Sequence, residues 1–448
     1  MTRRYCLLCY ALAVILAGCK RPAGLEVNTI EIKGVSWACN ISTSYGVFGS
    51  STESEEQLEV VLPASDGDLL YMLYDDQQLY YRYRPEHGSQ ISLTFDTLDA
   101  VSVYLNGSLE YMELSEPSSL EKFGQLSEAE IKQLSTICIY GSISRELLLS
   151  LQERETALQG KGLVLEGGPD SKNLNELLSV CRPGLLVLTD SRSLPEPAES
   201  SSLSSMELLW VNGELSTLTK LAPCCANLES LIIGNWEPEP GEMLPLSGLS
   251  KLQSLTIAES ELTSLSVIEL PQSLRKLHLI DCDTLSDIST LADLPGLKGL
   301  SLSLCDQVKN LEQLNQINSL QWLSFPPDIA HTEFQQLVEH FTELEVVELL
   351  DCGKITNLAP LEALPDLHTL LLQLDKEQLG RLDSLNQLRI LILTDEVFKD
   401  NNEWVKELRN SLPETVIVPG SGLCLGSGWL LLMLPFILIF RYYFRLKE

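Results

Sequence analysis

The chain has 448 residues, room for two or three domains or one long repeat array. Its formal net charge is −31, and with seven basic residues and Glu448 set aside at the two ends the body holds 61 acidic against 24 basic residues. Such a body repels phosphate backbones and argues against a nucleic-acid partner, while 44 % hydrophobic residues argue against disorder.

The first 19 residues, MTRRYCLLCYALAVILAGC, join two arginines to an apolar run and a small-residue end, the layout of an export signal. Leu16-Ala17-Gly18-Cys19 resembles the lipobox of bacterial lipoproteins, which implies lipidation of Cys19 and a mature N-terminus there. An ordinary signal peptide with a chance cysteine is the other reading. Cys6 and Cys9 form a C-x-x-C inside this signal, where a redox role carries no weight.

Residues 26–122 read as a small β-rich domain. Short strands alternate with turns (QLEVVLP, LLYMLY, QLYYRYR, SQISLTF), and Asn106-Gly107 is a two-residue hairpin signal. Eight tyrosines fall between 45 and 111. They fill the faces of the domain or form an aromatic ligand platform. The segment QLSEAEIKQLS then predicts a short helix that opens or caps the solenoid.

From 123 to 419 the chain repeats. Strand cores of L-x-L type begin at Leu163, Leu186, Leu209, Leu231, Leu255, Leu277, Leu300, Leu323, Val347, Leu370, Leu391 and Val416, with a mean step of 23 residues. Ile137-Cys138-Ile139 adds a unit upstream. One unit cannot bury its leucines alone, so stacking is required, with a continuous parallel sheet and one long core. The full units read L-x-x-L-x-L-x-x-C, as in Leu274, Leu277, Leu279 and Cys282. With LSDISTLADLPGL and ITNLAPLEALPDL they resemble the leucine-rich-repeat family, in its bacterial internalin-like form of 22–24 residues. The resemblance implies an α/β solenoid: a horseshoe of 12–13 units with the parallel sheet on its concave side.

Cys282, Cys305 and Cys352 each stand eight residues after the first leucine of their unit. The resemblance implies an inward ladder position there, bonding the backbone of the turn. A Cys282–Cys305 disulfide is the alternative. A metal site is disfavoured, because three sulfurs in file do not converge on a tetrahedron.

No catalytic motif occurs: G-x-S-x-G, H-E-x-x-H, the P-loop and G-x-G-x-x-G are all missing. No cofactor or metal is expected; Asp281, Asp283 and Asp287 lack the spacing of a calcium loop and read as a solvated turn. The remaining candidate is a surface. By the two-residue period, the middle residue of each L-x-L points to the concave side. That row runs from Val164, Val187 and Trp210 through Thr256, His278, Ser301, Ser324 and Glu348 to Leu371, Ile392 and Ile417, apolar at its ends and polar at its centre. Trp210, His278, Trp322 and Glu348 are the candidate contacts for a protein ligand. Alternatively the β-rich domain or the membrane-proximal segment covers the apolar ends, and the centre is merely solvated.

At the C-terminus, residues 423–440 (LCLGSGWLLLMLPFILIF) carry no charge and precede the basic tail 441–448. At ~1.5 Å per residue they span ~27 Å, barely a bilayer core. A single transmembrane helix, a cleaved segment (they resemble bacterial C-terminal sorting signals) and a buried core helix are the three readings. The expectation is a non-catalytic recognition or adhesion protein, membrane-anchored at both ends and facing the periplasm or cell exterior. An envelope scaffold, or an enzyme in the β-rich domain, is the alternative.

Overall fold

The computed structural model describes residues 27–33, 37–43, 46–52, 58–63, 69–74, 77–82, 90–96, 102–105, 108–114, 117–166, 171–188, 203–212, 224–309, 311–374, 382–394 and 402–420, with side chains from 112 onward. The expected signal segment with Cys19, and residues 423–448, lie outside the described residues.

Among the described residues the N-terminal region forms nine short strands. They are β1 (Val27–Lys33), β2 (Trp37–Thr43), β3 (Gly46–Thr52), β4 (Leu58–Pro63), β5 (Leu69–Tyr74), β6 (Gln77–Arg82), β7 (Gln90–Asp96), β8 (Ser102–Leu105) and β9 (Ser108–Glu113). The apolar stretch NTIEIKGVSWACNI is divided between two strands, β1 and β2. Strand β1 pairs antiparallel with β4 and parallel with β7; β7–β8 and β8–β9 are antiparallel. The pairs β2–β3 and β5–β6 form separate ribbons.

The repeats supply β10 (Thr136–Tyr140), β11 (Gly162–Glu166), β12 (Leu185–Leu188), β13 (Leu208–Asn212), β14 (Ser230–Gly234), β15 (Ser254–Ala258) and β16 (Lys276–Ile280). They continue with β17 (Gly299–Ser301), β18 (Trp322–Phe325), β19 (Val346–Leu350), β20 (Thr369–Gln373), β21 (Ile390–Thr394) and β22 (Val416–Gly420). Each pairs in parallel with the next, leucine against leucine: Leu231 with Leu255, Leu255 with Leu277, Leu277 with Leu300. This unclosed parallel sheet is the expected solenoid. One register differs from expectation. Leu391 pairs with Ile417, not Val416, so Ile417 enters the core and Val418 pairs with Ile392. Helix α7 (Asn402–Ser411) lengthens that return segment, and the strand's alternating face then moves by one residue.

The leucines of all repeats merge into one core that runs from Met112 to Ile417. Each fully buried leucine contributes roughly 1.5–3 kcal/mol of transfer free energy, which no single unit retains alone. Return segments are α-helical early, as in α3 (Arg145–Gln152), α4 (Glu155–Leu158) and α5 (Ser171–Cys181). Later they become 3-10 turns such as Ser289–Asp293 and Ala359–Ala363, with α6 (His331–His340) inserted between. Backbone bonds just before each strand tie coil to coil: Gln253 N donates to Glu229 O at 2.8 Å, Lys298 N to Arg275 O at 2.7 Å, and Glu345 N to Gln321 O at 2.7 Å.

The first coil needs a cover for its open face. Strand β9 pairs in parallel with β10 and extends the sheet by one strand. Helices α1 (Pro117–Gln125) and α2 (Glu128–Gln133) bury Phe123 and Ile131 against the end of the core. The predicted helix in QLSEAEIKQLS is α2, started by a capping box in which Ser127 and Glu130 satisfy each other's backbone N–H groups. Arg154 holds the end of α1 through the carbonyls of Gly124 and Leu126, both at 2.7 Å.

Candidate functional site

Alternation along each repeat strand puts two residues on the concave side for every one or two in the core. One row holds Lys276, Gly299, Trp322 and Val346; the other holds His278, Ser301, Ser324 and Glu348. The candidate contacts His278, Trp322 and Glu348 therefore stand on neighbouring or near-neighbouring strands, whereas Trp210 sits three strands before His278, on β13. Trp322 reaches back across Gly299, where an added Cβ would lie 2.9 Å from its Cε3, and meets His278 edge-on at 4.6 Å between ring centroids.

The expected exposed strip is not exposed. Trp210, His278, Trp322 and Glu348 are all buried, at 3, 9, 6 and 0 % exposure, and so are Val164, Val187, Leu371 and Ile392. The row is closed over its polar centre as well as its apolar ends, which differs from both expectations for this face.

Burial controls the electrostatics. The His278 imidazole is pushed down to about 3, by burial first and then by the charge of Lys276. It is a neutral ring packed on an indole. Glu348 goes the other way: burial pushes its carboxyl up to about 7, opposed by Ser324 and Trp322. Both do so as side-chain hydrogen-bond donors to the carboxyl. The Ser324 hydroxyl is engaged with Ser303 at 2.6 Å, and Ser303 with Ser301 at 3.0 Å.

The C-terminal ends of the strands carry a file of carboxylates that sequence reasoning took as an isolated solvated turn. Glu259, Asp281 and Asp351 all adopt positive φ (49°, 51° and 52°) as the chain turns off the sheet, a conformation that short polar side chains tolerate best. Burial and Asp281 push Glu259 up to about 8; burial, Asp283 and Asp306 push Asp281 up to about 6. Asp306 and Asp351 are also raised, by burial and then by neighbouring carboxylates. Asp287 stands apart: it accepts from Ser264 Oγ at 2.7 Å and Ser289 N at 3.0 Å, which keeps its carboxyl below the usual range. Among the described residues no group of three His, Cys, Asp or Glu side chains is arranged to hold a metal.

Inside the coil, the three thiols face backbone carbonyls. Cys282 Sγ approaches Ile257 O at 3.7 Å, Cys305 Sγ approaches Leu279 O at 3.5 Å, and Cys352 Sγ approaches Pro326 O at 3.6 Å. All three are buried thiols outside any disulfide. The Cys282 thiol beside it, together with burial, holds Cys305 well above the usual thiol range. Two occupants of the same slot were missed because they are not cysteines: Ser260, which accepts from Trp236 N at 3.1 Å, and Trp236 itself. Counting eight residues from Leu252 and Leu228 finds both.

His331 and His340 lie at opposite ends of α6, too far apart to share a ligand. No helix among the described residues is long and apolar enough to cross a membrane.

No family model matches the chain. A curated relative is the disease resistance protein RPP5 of Arabidopsis thaliana, 31 % identical over 121 residues. The match covers 27 % of this chain and 8 % of that protein's length. Among solved structures, an internalin (inlF) of Listeria monocytogenes is 18 % identical, with a TM-score of 0.36 over 66 % of this chain and 83 % of that one. A leucine-rich-repeat protein of Leptospira interrogans is 16 % identical, with a TM-score of 0.27 over 68 % of this chain and 99 % of that one. A Bacteroides fragilis protein is 11 % identical, with a TM-score of 0.26 over 86 % and 96 %. In this chain's own coil each repeat strand pairs in parallel with the next, leucine against leucine, which is the fold of a leucine-rich-repeat solenoid.

Proposed function

We propose that the chain is a non-catalytic recognition protein that holds a protein partner at the centre of its concave sheet. It would be tethered outside the cytoplasm by the lipobox-like Cys19 and the apolar segment 423–440. The leucine-rich-repeat architecture is one that commonly serves protein interaction, which fold alone does not make specific. The observation that carries the reading is local. In a sheet whose neighbouring positions are apolar or hydroxyl-bearing, Glu348 is a buried carboxyl whose titration burial raises to about 7, with Trp322 beside it on the same face. Buried ionisable groups with shifted titration concentrate at functional sites.

A photo-crosslinking residue at Lys276, half-buried on the concave side, tests this in the full chain, with exposed Glu312 as the outer-side control. Reproducible crosslinks from 276 to one other protein, not seen from 312, support the reading. Crosslinks from 276 that stay within the chain overturn it.

The closure of the whole concave row favours a second reading, in which the repeats serve envelope architecture. Mass spectrometry of the C-terminal peptide bears on the tether: an intact 423–448 supports a span, and a trimmed end supports sorting.

A further inference from the structure

A parallel sheet is ordinarily covered on both faces. In this coil the leucine core and the return segments cover one face. The other face is closed as well: from Val164 on β11 to Ile392 on β21, no residue of the concave row is more than 9 % exposed. The repeat strands do not cover themselves, because alternation sends their other side chains into the core. The strands between 27 and 113 are placed to do it, since they reach both ends of the solenoid. At the first coil β9 pairs in parallel with β10, Tyr111 opposite Thr136 and Glu113 opposite Cys138. From there β9, β8, β7, β1 and β4 run on, each paired with the next. Strand β4 meets β3, and β3 meets β22 on the last coil. The route from the first coil back to the last is thereby continuous.

The two junctions are built differently. At the first coil Met112 and Leu114 are buried among the solenoid's own leucines or against them, and Leu114 N donates to Cys138 O at 2.8 Å. That junction opens only if the first coil itself comes apart. At the far end β22 is the last strand of the parallel stack, with β21 on one side. An end strand offers free backbone groups on which another strand can dock. We infer that the β-rich region is a strap over the concave face, hinged where β9 joins β10 and latched where β3 meets β22. The strap goes beyond the concave-face reading of the function. It says what a partner at that face must first displace, and it lowers the partner's apparent affinity by the fraction of chains that are open.

The test uses the purified full chain, mixed from isotopically light and heavy preparations, with no partner present. A photo-crosslinking residue replaces Val47 or Phe48 on β3 in separate variants; adjacent positions sample both faces of a strand. A third variant carries it in place of Lys276, half-buried on the concave side. Circular dichroism checks that each variant folds and melts as the parent does. The expected result is a link from 47 or 48 to 416–420, and from 276 to 27–113, each within one copy. The strap is overturned if neither 47 nor 48 reaches 416–420. It is also overturned if 276 links to 423–448, to the repeats, or to the other isotopic copy, since another segment or a second molecule is then the cover. The concave-face reading fails separately. Links from 276 that stay within the chain when other proteins of its native setting are present remove that reading and leave the strap standing. Links from 276 to another protein, with no link from β3 to 416–420 in the purified chain, do the reverse.

Discussion

Trp322 and His278 meet edge to face at 4.6 Å although a whole strand, β17, lies between them. They meet because Gly299 on that strand has no side chain. A single glycine thus sets the form of the concave centre. It leaves room for the indole to reach back to the imidazole, on the face that also holds Glu348.

Gly299→Ala tests this directly. The new methyl would stand 2.9 Å from Trp322 Cε3, so the ring must move. Overpacking of this kind destabilises by about 1–3 kcal/mol. The loss should shrink in a Trp322→Ala background, giving a coupling energy of about 1 kcal/mol or more in a double-mutant cycle read by denaturant unfolding. Additive losses would show that the ring and the glycine do not constrain each other.

Glu348 makes stability fall as the solution becomes alkaline. Folded, its carboxyl keeps the proton to about pH 7; an ordinary glutamate loses it near 4.5. Between those values only the folded state holds the proton, so stability declines with rising pH, by about 3 kcal/mol in all at about 1.4 kcal/mol per tenfold change in acidity. His278 opposes this on the acid side. Its ring stays neutral down to about pH 3 when folded, against an ordinary 6.5, so stability also falls as pH drops below 6.5. The two losses leave a maximum between pH 4.5 and 6.5. Glu348→Gln should melt higher than the parent at pH 8 and nearly together with it at pH 4.5. Parallel curves at both pH values would mean the carboxyl is neutralised by another route.

The ladder thiols should be chemically silent in the native protein. Cys282, Cys305 and Cys352 are fully buried and closed to reagents; burial pushes Cys352 far up, whereas a hydrogen bond from Cys305 lowers Cys282, so its silence rests on burial alone. Cys225 and Cys181 are likewise pushed up to about 12 by burial. Cys224 is only half-buried. Iodoacetamide at pH 8, followed by peptide mapping, should label Cys224 well before these five, which react only on unfolding. A two-dalton loss joining Cys282 to Cys305 would instead indicate a disulfide where this structure has two thiols.

The repeat was legible because its signal is redundant. Leu255, Leu277 and Leu300 answer the same packing demand at the same interval, so any one of them predicts the others. The last strand shows where that logic stops. Val416 and Ile417 are equally apolar, and only the length of the return through α7 decides which one faces the core. The cysteines were legible by position, but Ser260 and Trp236 in the same slot were not, since their types carry no common pattern.

By itself the sequence determined the parallel solenoid, its period and the inward ladder, because these arise from a local pattern repeated every 23 residues. It also placed Trp322, His278 and Glu348 on one face, by strand alternation alone. Only the tertiary structure decided that this face is closed, that the two rings touch across Gly299, and that Glu348 has no exposed surface. Burial and pairing depend on atoms far apart in the chain, and a repeat specifies how neighbouring coils meet but not what lies over the sheet they make.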